Sequence, residues 1–285
     1  MPGLKLGPDS VVLLTGGARG ITARISVELA RRYRCSLELV GRTPLGPEED
    51  DDRIAAAPDL PALRNLLASR DPHRKPAEIE AECRRIVAVR EIRQTLADIR
   101  AAGASANYHP VDASDPAAFG ALIDELYSRH GRLTGMVHGA GILEDKLLIQ
   151  KTADSVRRVF ETKVRSALTL AEKLRDDVGF AVFFSSVSGL FGNRGQTDYA
   201  AASEALDKIA VFLRKRLPGR VVSIDWGPWD EIGMVTPELR REYQRRGIDL
   251  ISPAEGVEAF FAELDRGDPA DMQVAWMKGG GEIFR

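Results

Sequence analysis

Two hydroxyl side chains in the second half of the chain stand where a sheet protein binds its ligands. The segment FFSSVSG (residues 183–189) ends an apolar run and places Ser186 at the carboxyl end of a strand. Tyr199 follows in GQTDYAAASEALD, at the opening of the next helical stretch. A serine and a tyrosine so placed can converge on one crevice, and a crevice at the carboxyl ends of the strands is where α/β sheets bind ligands. A phenol has a reference pKa of about 10, so it gives up its proton efficiently near neutrality only when a nearby cation makes it more acidic.

A second cluster lies near the N-terminus. Thr15, Gly16, Gly17, Ala18, Arg19, Gly20 and Ile21 follow the first apolar run and open a helical stretch ending near Tyr33. Gly16 and Gly20 let the backbone approach a pyrophosphate whose charge meets the helix N-terminus, which points to a dinucleotide. An NAD enzyme offers an acidic residue to the adenosine ribose at the end of the second strand, but here the chain reads Val40-Gly41-Arg42-Thr43. A guanidinium there can grip a 2′-phosphate, as can Arg19, so NADPH is expected as the cofactor. Asp112, at the tip of the third strand, reads either as an acceptor for the adenine amino group or as a turn or helix cap.

The elements that must position these residues alternate along the chain. Val11–Thr15, Leu37–Val40, Ala106–Val111, Gly135–His138, Ala181–Ser185 and Val221–Asp225 read as buried strands between amphipathic stretches. That alternation predicts an α/β Rossmann fold, a doubly wound parallel sheet, as one domain over residues 1–285. About 65 residues separate the second and third strands, more than a helical crossover needs. Within them GPEEDDDR is acidic and solvated, Pro58 and Pro61 punctuate, and apolar residues from Ile79 to Ile99 recur at helical steps across Ala77–Ala102. A helical insertion is therefore expected at about 46–88, serving as a packing or interface device or as a substrate lid.

Composition narrows the partners. The 285 residues are 44% hydrophobic, enough for a buried core, and 40 basic against 42 acidic residues leave a formal charge of -2. No basic field recommends nucleic acid. Cys35 and Cys83 form no CxxC pair and no metal site is signalled, which suits a reducing cytoplasm. No signal peptide or apolar run long enough for a membrane span is read.

Six blocks, TGGARGIT, VHGAGILED, ETKVRSALTL, FSSVSG, GQTDYAAASEALD and IDWGPWDEIGM, run in order from residue 15 to residue 234. Together they resemble the short-chain dehydrogenase/reductase family, and more narrowly the ketoreductase domains of polyketide and polyunsaturated-fatty-acid-type synthases. The resemblance implies reduction of a 3-oxoacyl thioester, held on the phosphopantetheine arm of an acyl carrier protein, within a multidomain synthase. By the same resemblance Tyr199 donates the proton, Ser186 hydrogen-bonds the carbonyl oxygen, and Lys163 in the ETKV block is the activating cation. Ser203 stands where the synthase ketoreductases put asparagine, and Thr22 where the family shows the last glycine of its nucleotide loop. Ala113, Gly139, Ala140, Pro228 and Trp229 fall at cofactor-binding positions, Trp226 and Trp229 reading alternatively as core residues, and Met234 begins the family's mobile lid.

Three expectations concern how substrate arrives. Members giving the 3R alcohol carry Leu-Asp-Asp after the fourth strand, where this chain has Leu143-Glu144-Asp145, and members giving 3S carry a tryptophan where it has Phe191. A 3R product is expected. Arg240, Arg241, Arg245 and Arg246 read as a solvated helix face or as a docking face for an acidic carrier protein. The family also precedes its catalytic half with a cofactor-free Rossmann half, so the chain reads as an excised piece, as one supported by its insertion, or as one that assembles with itself. The alternatives to the carrier-bound reading are a free-standing reductase of a small soluble ketone and a catalytically silent, structural domain.

Overall fold

The computed structural model describes residues 6–46, 52–71, 73–235 and 237–279. The acidic run Glu48–Asp51 and the first five residues, on which two of the expectations above fall, lie outside them. Strand β1 (Val11–Thr15) is buried along its whole length because alternate residues feed two cores: Val12 and Leu14 pack on one face, Val11 and Leu13 on the other. The same logic sets β2 (Ser36–Gly41), β3 (Ala106–Pro110), β4 (Gly135–His138), β5 (Phe180–Ser186) and β6 (Arg220–Trp226), the six strands expected from sequence. A seventh, β7 (Gln273–Trp276), was not predicted, since QVAW is short and only half-buried at the edge of the sheet.

All pairings are parallel and the order is β3-β2-β1-β4-β5-β6-β7, so the fold is the expected Rossmann sheet. Register brings the carboxyl ends level: Thr15 pairs with Val40 on one side and His138 on the other, and Ser186 pairs with Trp226. The order reverses between β1 and β4, which opens a crevice above those ends. One inward carboxylate interrupts the apolar pattern of β2. Glu38 is held by His109 at 2.6 Å, His130 at 2.8 Å and Asn107 at 3.0 Å; burial raises its pKa, these bonds together lower it by more, and the net direction is down.

Helices α1 (Gly20–Tyr33), α4 (Pro76–Ala101) and α10 (Pro253–Arg266) cover one face of the sheet, with Ile25, Leu29, Ile92, Leu96, Phe260 and Phe261 in its core. Helices α5 (Pro116–His130), α6 (Ala153–Lys173) and α8 (Thr197–Arg214) cover the other through Phe119, Ile123, Leu170 and Leu206. Short helices α7 (Val187–Phe191) and α9 (Pro237–Arg245) border the crevice.

The insertion is helical, as its periodicity requires, and α4 forms within one residue of the predicted limits. Before it come α2 (Asp52–Ala56) and α3 (Leu60–Arg70), the latter capped by Asp59, which accepts from the Ala62 amide at 2.8 Å. The two halves of α4 do different work. Ile79, Cys83 and Ile86 close a small separate core with Ala57, Leu63 and Leu67, while Ile92, Leu96 and Ile99 join the main one. Thr95 then donates to the Ala18 carbonyl at 3.0 Å, so the second half braces the glycine turn after β1. The described residues of the insertion thus pack on one another and on the first half of α4, and the residues of α4 that line the crevice lie beyond them, from Arg90 on.

Candidate active site

The crevice encloses about 1260 Å³ between the glycine turn, the loop after β4, the β5–α8 connection and the segment after β6. Gly16, at φ +70°, has no room for a side chain: an added Cβ would lie 3.0 Å from the Gly139 carbonyl oxygen. Gly20, at φ +58°, turns the chain into α1, whose first turn carries no acidic residue, so its free amides face the crevice unopposed. Thr22, the larger residue in the family's glycine position, does not widen the packing as its size suggests. It is buried against Gly139, whose own missing Cβ leaves the space, since a Cβ there would meet Thr22 Oγ1 at 2.1 Å.

Arg42 is exposed on the crevice wall, which Arg19 also lines. Arg19 is held by the carboxylate of Glu91 on α4, a pairing sequence did not reveal. Asp112 lines the crevice and also holds a turn: its Oδ1 accepts from the Ser114 amide at 2.9 Å and from the Ser114 hydroxyl at 2.7 Å, while Asp115 caps α5. Ala113, Gly139, Ala140 and Pro228 also line the crevice. The Trp229 ring belongs to the core, edge-on to Trp226 with centroids 5.0 Å apart and seated on Gly256, so it forms the back wall. Met234 follows Gly233, which crosses over Gly20 and Ile21.

Ser186, Tyr199 and Lys163 meet at the centre. Ser186 ends β5 and caps α7, accepting from the Ser188 amide at 3.1 Å, and its hydroxyl lies close enough to the phenol of Tyr199 to lower its pKa. Lys163 comes from the middle of α6, is 2% exposed, and sets its ammonium 4.2 Å above the centre of the Tyr199 ring. The same Nζ donates to Ser203 Oγ at 2.8 Å. Ser203 is fully buried behind Lys163 and off the crevice lining, so it holds the lysine and presents nothing to a ligand. The protein groups around the phenol act against the expected acidification. Burial and the charge of Asp145 push Tyr199 up to about 12, with Ser186 opposing, while burial pulls Lys163 down to about 7 against Asp207 and Asp225.

Several supports escaped sequence reading because they join residues far apart in the chain. His138, fully buried and held neutral by burial at about 4, takes a bond from the Thr15 hydroxyl at 2.7 Å and donates to the Lys163 carbonyl at 2.9 Å, fixing α6 to the sheet. Lys151 and Asp198, both 2% exposed, pair at 2.8 Å, and Lys151 also binds the Glu144 carbonyl, so the loop after β4 is tied to the first turn of α8. The two acids of that loop are engaged. Glu144 forms a two-pronged pair with Arg158 at 2.8 Å, whose bonds drop its carboxyl to about 2, and Asp145 accepts from Gln196 at 2.8 Å. Phe191 and Tyr243 line the mouth. Of the four arginines on and after α9, Arg240 pairs with Asp230 and Arg245 with Glu242. Among the described residues no cluster is arranged to hold a metal and no helix is long and apolar enough to cross a membrane.

Comparison with known proteins gives this geometry a context. Residues 10–231 match the model of the KR domain. The chain is 34% identical over 285 residues, 96% of its length and 10% of the relative's, to a polyunsaturated fatty acid synthase subunit of Thraustochytrium sp.. It is 38% identical over 173 residues to mycoketide-CoA synthase of Mycobacterium tuberculosis, covering 59% of this chain and 4% of that one. The chain thus spans a tenth or less of these relatives. Among solved structures, a ketoreductase domain from the bacillaene assembly line superposes with a TM-score of 0.74 at 28% identity, covering 100% of this chain and 60% of that one.

Proposed function

Because the chain belongs to the KR domain family, the ketoreductase domains of polyketide and polyunsaturated-fatty-acid synthases, we propose that it reduces a 3-oxoacyl thioester on an acyl carrier protein with NADPH, giving the 3-hydroxyacyl thioester. The observation that carries the reading is the ammonium of Lys163 over the ring of Tyr199, with Ser186 beside the phenol, in the crevice that begins at the glycine turn. The missing Cβ atoms at Gly16 and Gly20 and the bare first turn of α1 fit a pyrophosphate, and Arg42 fits a 2′-phosphate. Bound there, NADPH supplies the hydride.

The chain's own residues handle the proton. Ser186 orients the carbonyl oxygen of the substrate, and Tyr199, held protonated by its surroundings, transfers its phenolic proton to that oxygen as negative charge develops on it. The phenolate left behind is stabilised by Lys163, which Ser203 and His138 keep in place from the side and from its own helix. Leu143 lines the crevice, and Glu144 and Asp145 after it are fixed to α6 by Arg158 and to the β5–α8 connection by Gln196; the likeness of this block to Leu-Asp-Asp supports a 3R product.

The test is NADPH oxidation with a thioester of 3-oxobutyrate against a decalone, NADH as the alternative cofactor, and chiral chromatography of the product. Turnover of the thioester to the 3R alcohol is expected, and Tyr199→Phe should lower kcat by about 10²- to 10⁴-fold while NADPH affinity stays within a few fold. Preference for the decalone makes the protein a reductase of small ketones, NADPH binding without turnover makes it structural, and a 3S product reverses the stereochemical reading.

A further inference from the structure

Behind Lys163 lie two carboxyl groups that the chemistry above does not use. Asp207, two turns after Tyr199 on α8, and Asp225, near the end of β6, are both fully buried. One amide group serves both: Gln273 Nε2 donates to Asp225 Oδ2 at 2.8 Å and to Asp207 Oδ2 at 3.1 Å. Ser223 donates to Asp207 Oδ1 at 2.6 Å, and Ser185, whose hydroxyl lies against both carboxyls, donates to the Ser203 carbonyl at 3.0 Å. Asp225 Oδ1 is enclosed and has no hydrogen-bond partner among the described residues.

Two buried carboxylates sharing so few donors cannot both stay ionised, because each would sit unscreened beside the other's charge. A proton between them removes one charge and supplies the donor that the pair lacks. The other groups facing Lys163 bring no counter-charge: His138 from β4 is neutral, and Tyr199 and Ser203 from α8 are uncharged. Lys208 faces the aspartates from the surface, where it pairs with Glu204.

We propose that Asp207 and Asp225 hold one proton between them and present the single negative charge that keeps Lys163 an ammonium over Tyr199. Both are positioning residues acting through Lys163, and the catalytic part of this inference rests on the ketoreductase reading. The seventh strand acquires a purpose: Gln273 on β7 locks the pair together, so the edge of the sheet is wired to the crevice.

The decisive measurement is the titration midpoint of Lys163, read from the chemical shift of its Cε carbon in lysine-labelled protein, with Lys163→Arg assigning the signal. Asp207→Asn and Asp225→Asn each leave one carboxyl able to carry the charge, so each midpoint should stay within about half a pH unit of the unsubstituted protein. The double variant D207N/D225N removes the charge and should lower the midpoint by about one unit or more, taking the alkaline limb of the kcat profile with it while the KM for NADPH holds. An unmoved midpoint in the double variant overturns the proposal, as do equal, additive shifts in the two single variants, which signify two independent charges. A normal midpoint pattern in a protein without turnover upholds the charged pair and removes the ketoreductase reading instead. Should the double variant not fold, infrared spectra of the unsubstituted protein decide: a deuterium-sensitive carboxylic-acid carbonyl band at neutral pH supports the shared proton, and its absence overturns it.

Discussion

Lys163 sits between burial, which strips its charge, and the Asp207–Asp225 pair, which restores it. A residue so balanced responds to small changes around it, and this explains why its neighbours are fixed so firmly: Ser203 from the side, the Tyr199 ring below and His138 on its own carbonyl. Arg42 is the opposite kind of residue, an exposed guanidinium at a strand end whose role depends wholly on what it meets. Arg42→Ala should raise the KM for NADPH by about tenfold or more and that for NADH by less than about threefold, because only NADPH carries the 2′-phosphate a guanidinium clamps. Steady-state kinetics with both cofactors checks it, and equal losses would place Arg42 outside the site. Arg19 is engaged by Glu91, so Arg19→Ala should change the KM for NADPH less than Arg42→Ala does.

Elements meet in this fold through missing side chains. Helix α1 lies against the loop after β4 with Thr22 filling the space that Gly139 leaves, so the substitution in one block is matched by a glycine in another. Gly139→Ala should therefore destabilise the protein by about 2 kcal/mol or more through overpacking, and adding Thr22→Gly should recover most of the loss although glycine by itself weakens a helix. Urea unfolding of the two single variants and the double variant measures the coupling, and simple additivity would mean that the two residues do not compete. Helix α4 shows the same economy on a larger scale. Its periodicity is unbroken, yet its first half serves the small core of the insertion and its second half serves the sheet and the glycine turn.

Across the whole molecule, two hydrophobic layers hold seven strands level, and buried polar links through the sheet hold the crevice in shape. His138 is the link most exposed to acid. Its folded-state pKa of about 4 lies below the ordinary 6.5, so the unfolded chain binds the extra proton first and the stability His138 supports is lost as pH falls from about 6.5 towards 4. The loss over that window is on the order of a few kcal/mol. Unfolding midpoints at pH 7 and pH 5 should show it, and His138→Asn should flatten the difference; an unchanged slope would assign the acid sensitivity to other groups. The architecture was legible in the residue pattern, because strands buried on two faces must be continuously apolar and the helices between them periodic. Residue type and position also marked the glycine turn, Ser186 and Tyr199 as candidates, while Lys163 came forward only through the resemblance of its ETKV block to a reductase family. The electrostatics of that centre come from contacts that the fold creates. Whether Tyr199 is made more or less acidic, whether Ser203 faces the crevice or the lysine, and whether Asp207, Asp225 and Gln273 meet at all depend on burial and on contacts between strands and helices distant in sequence, and no local pattern encodes either.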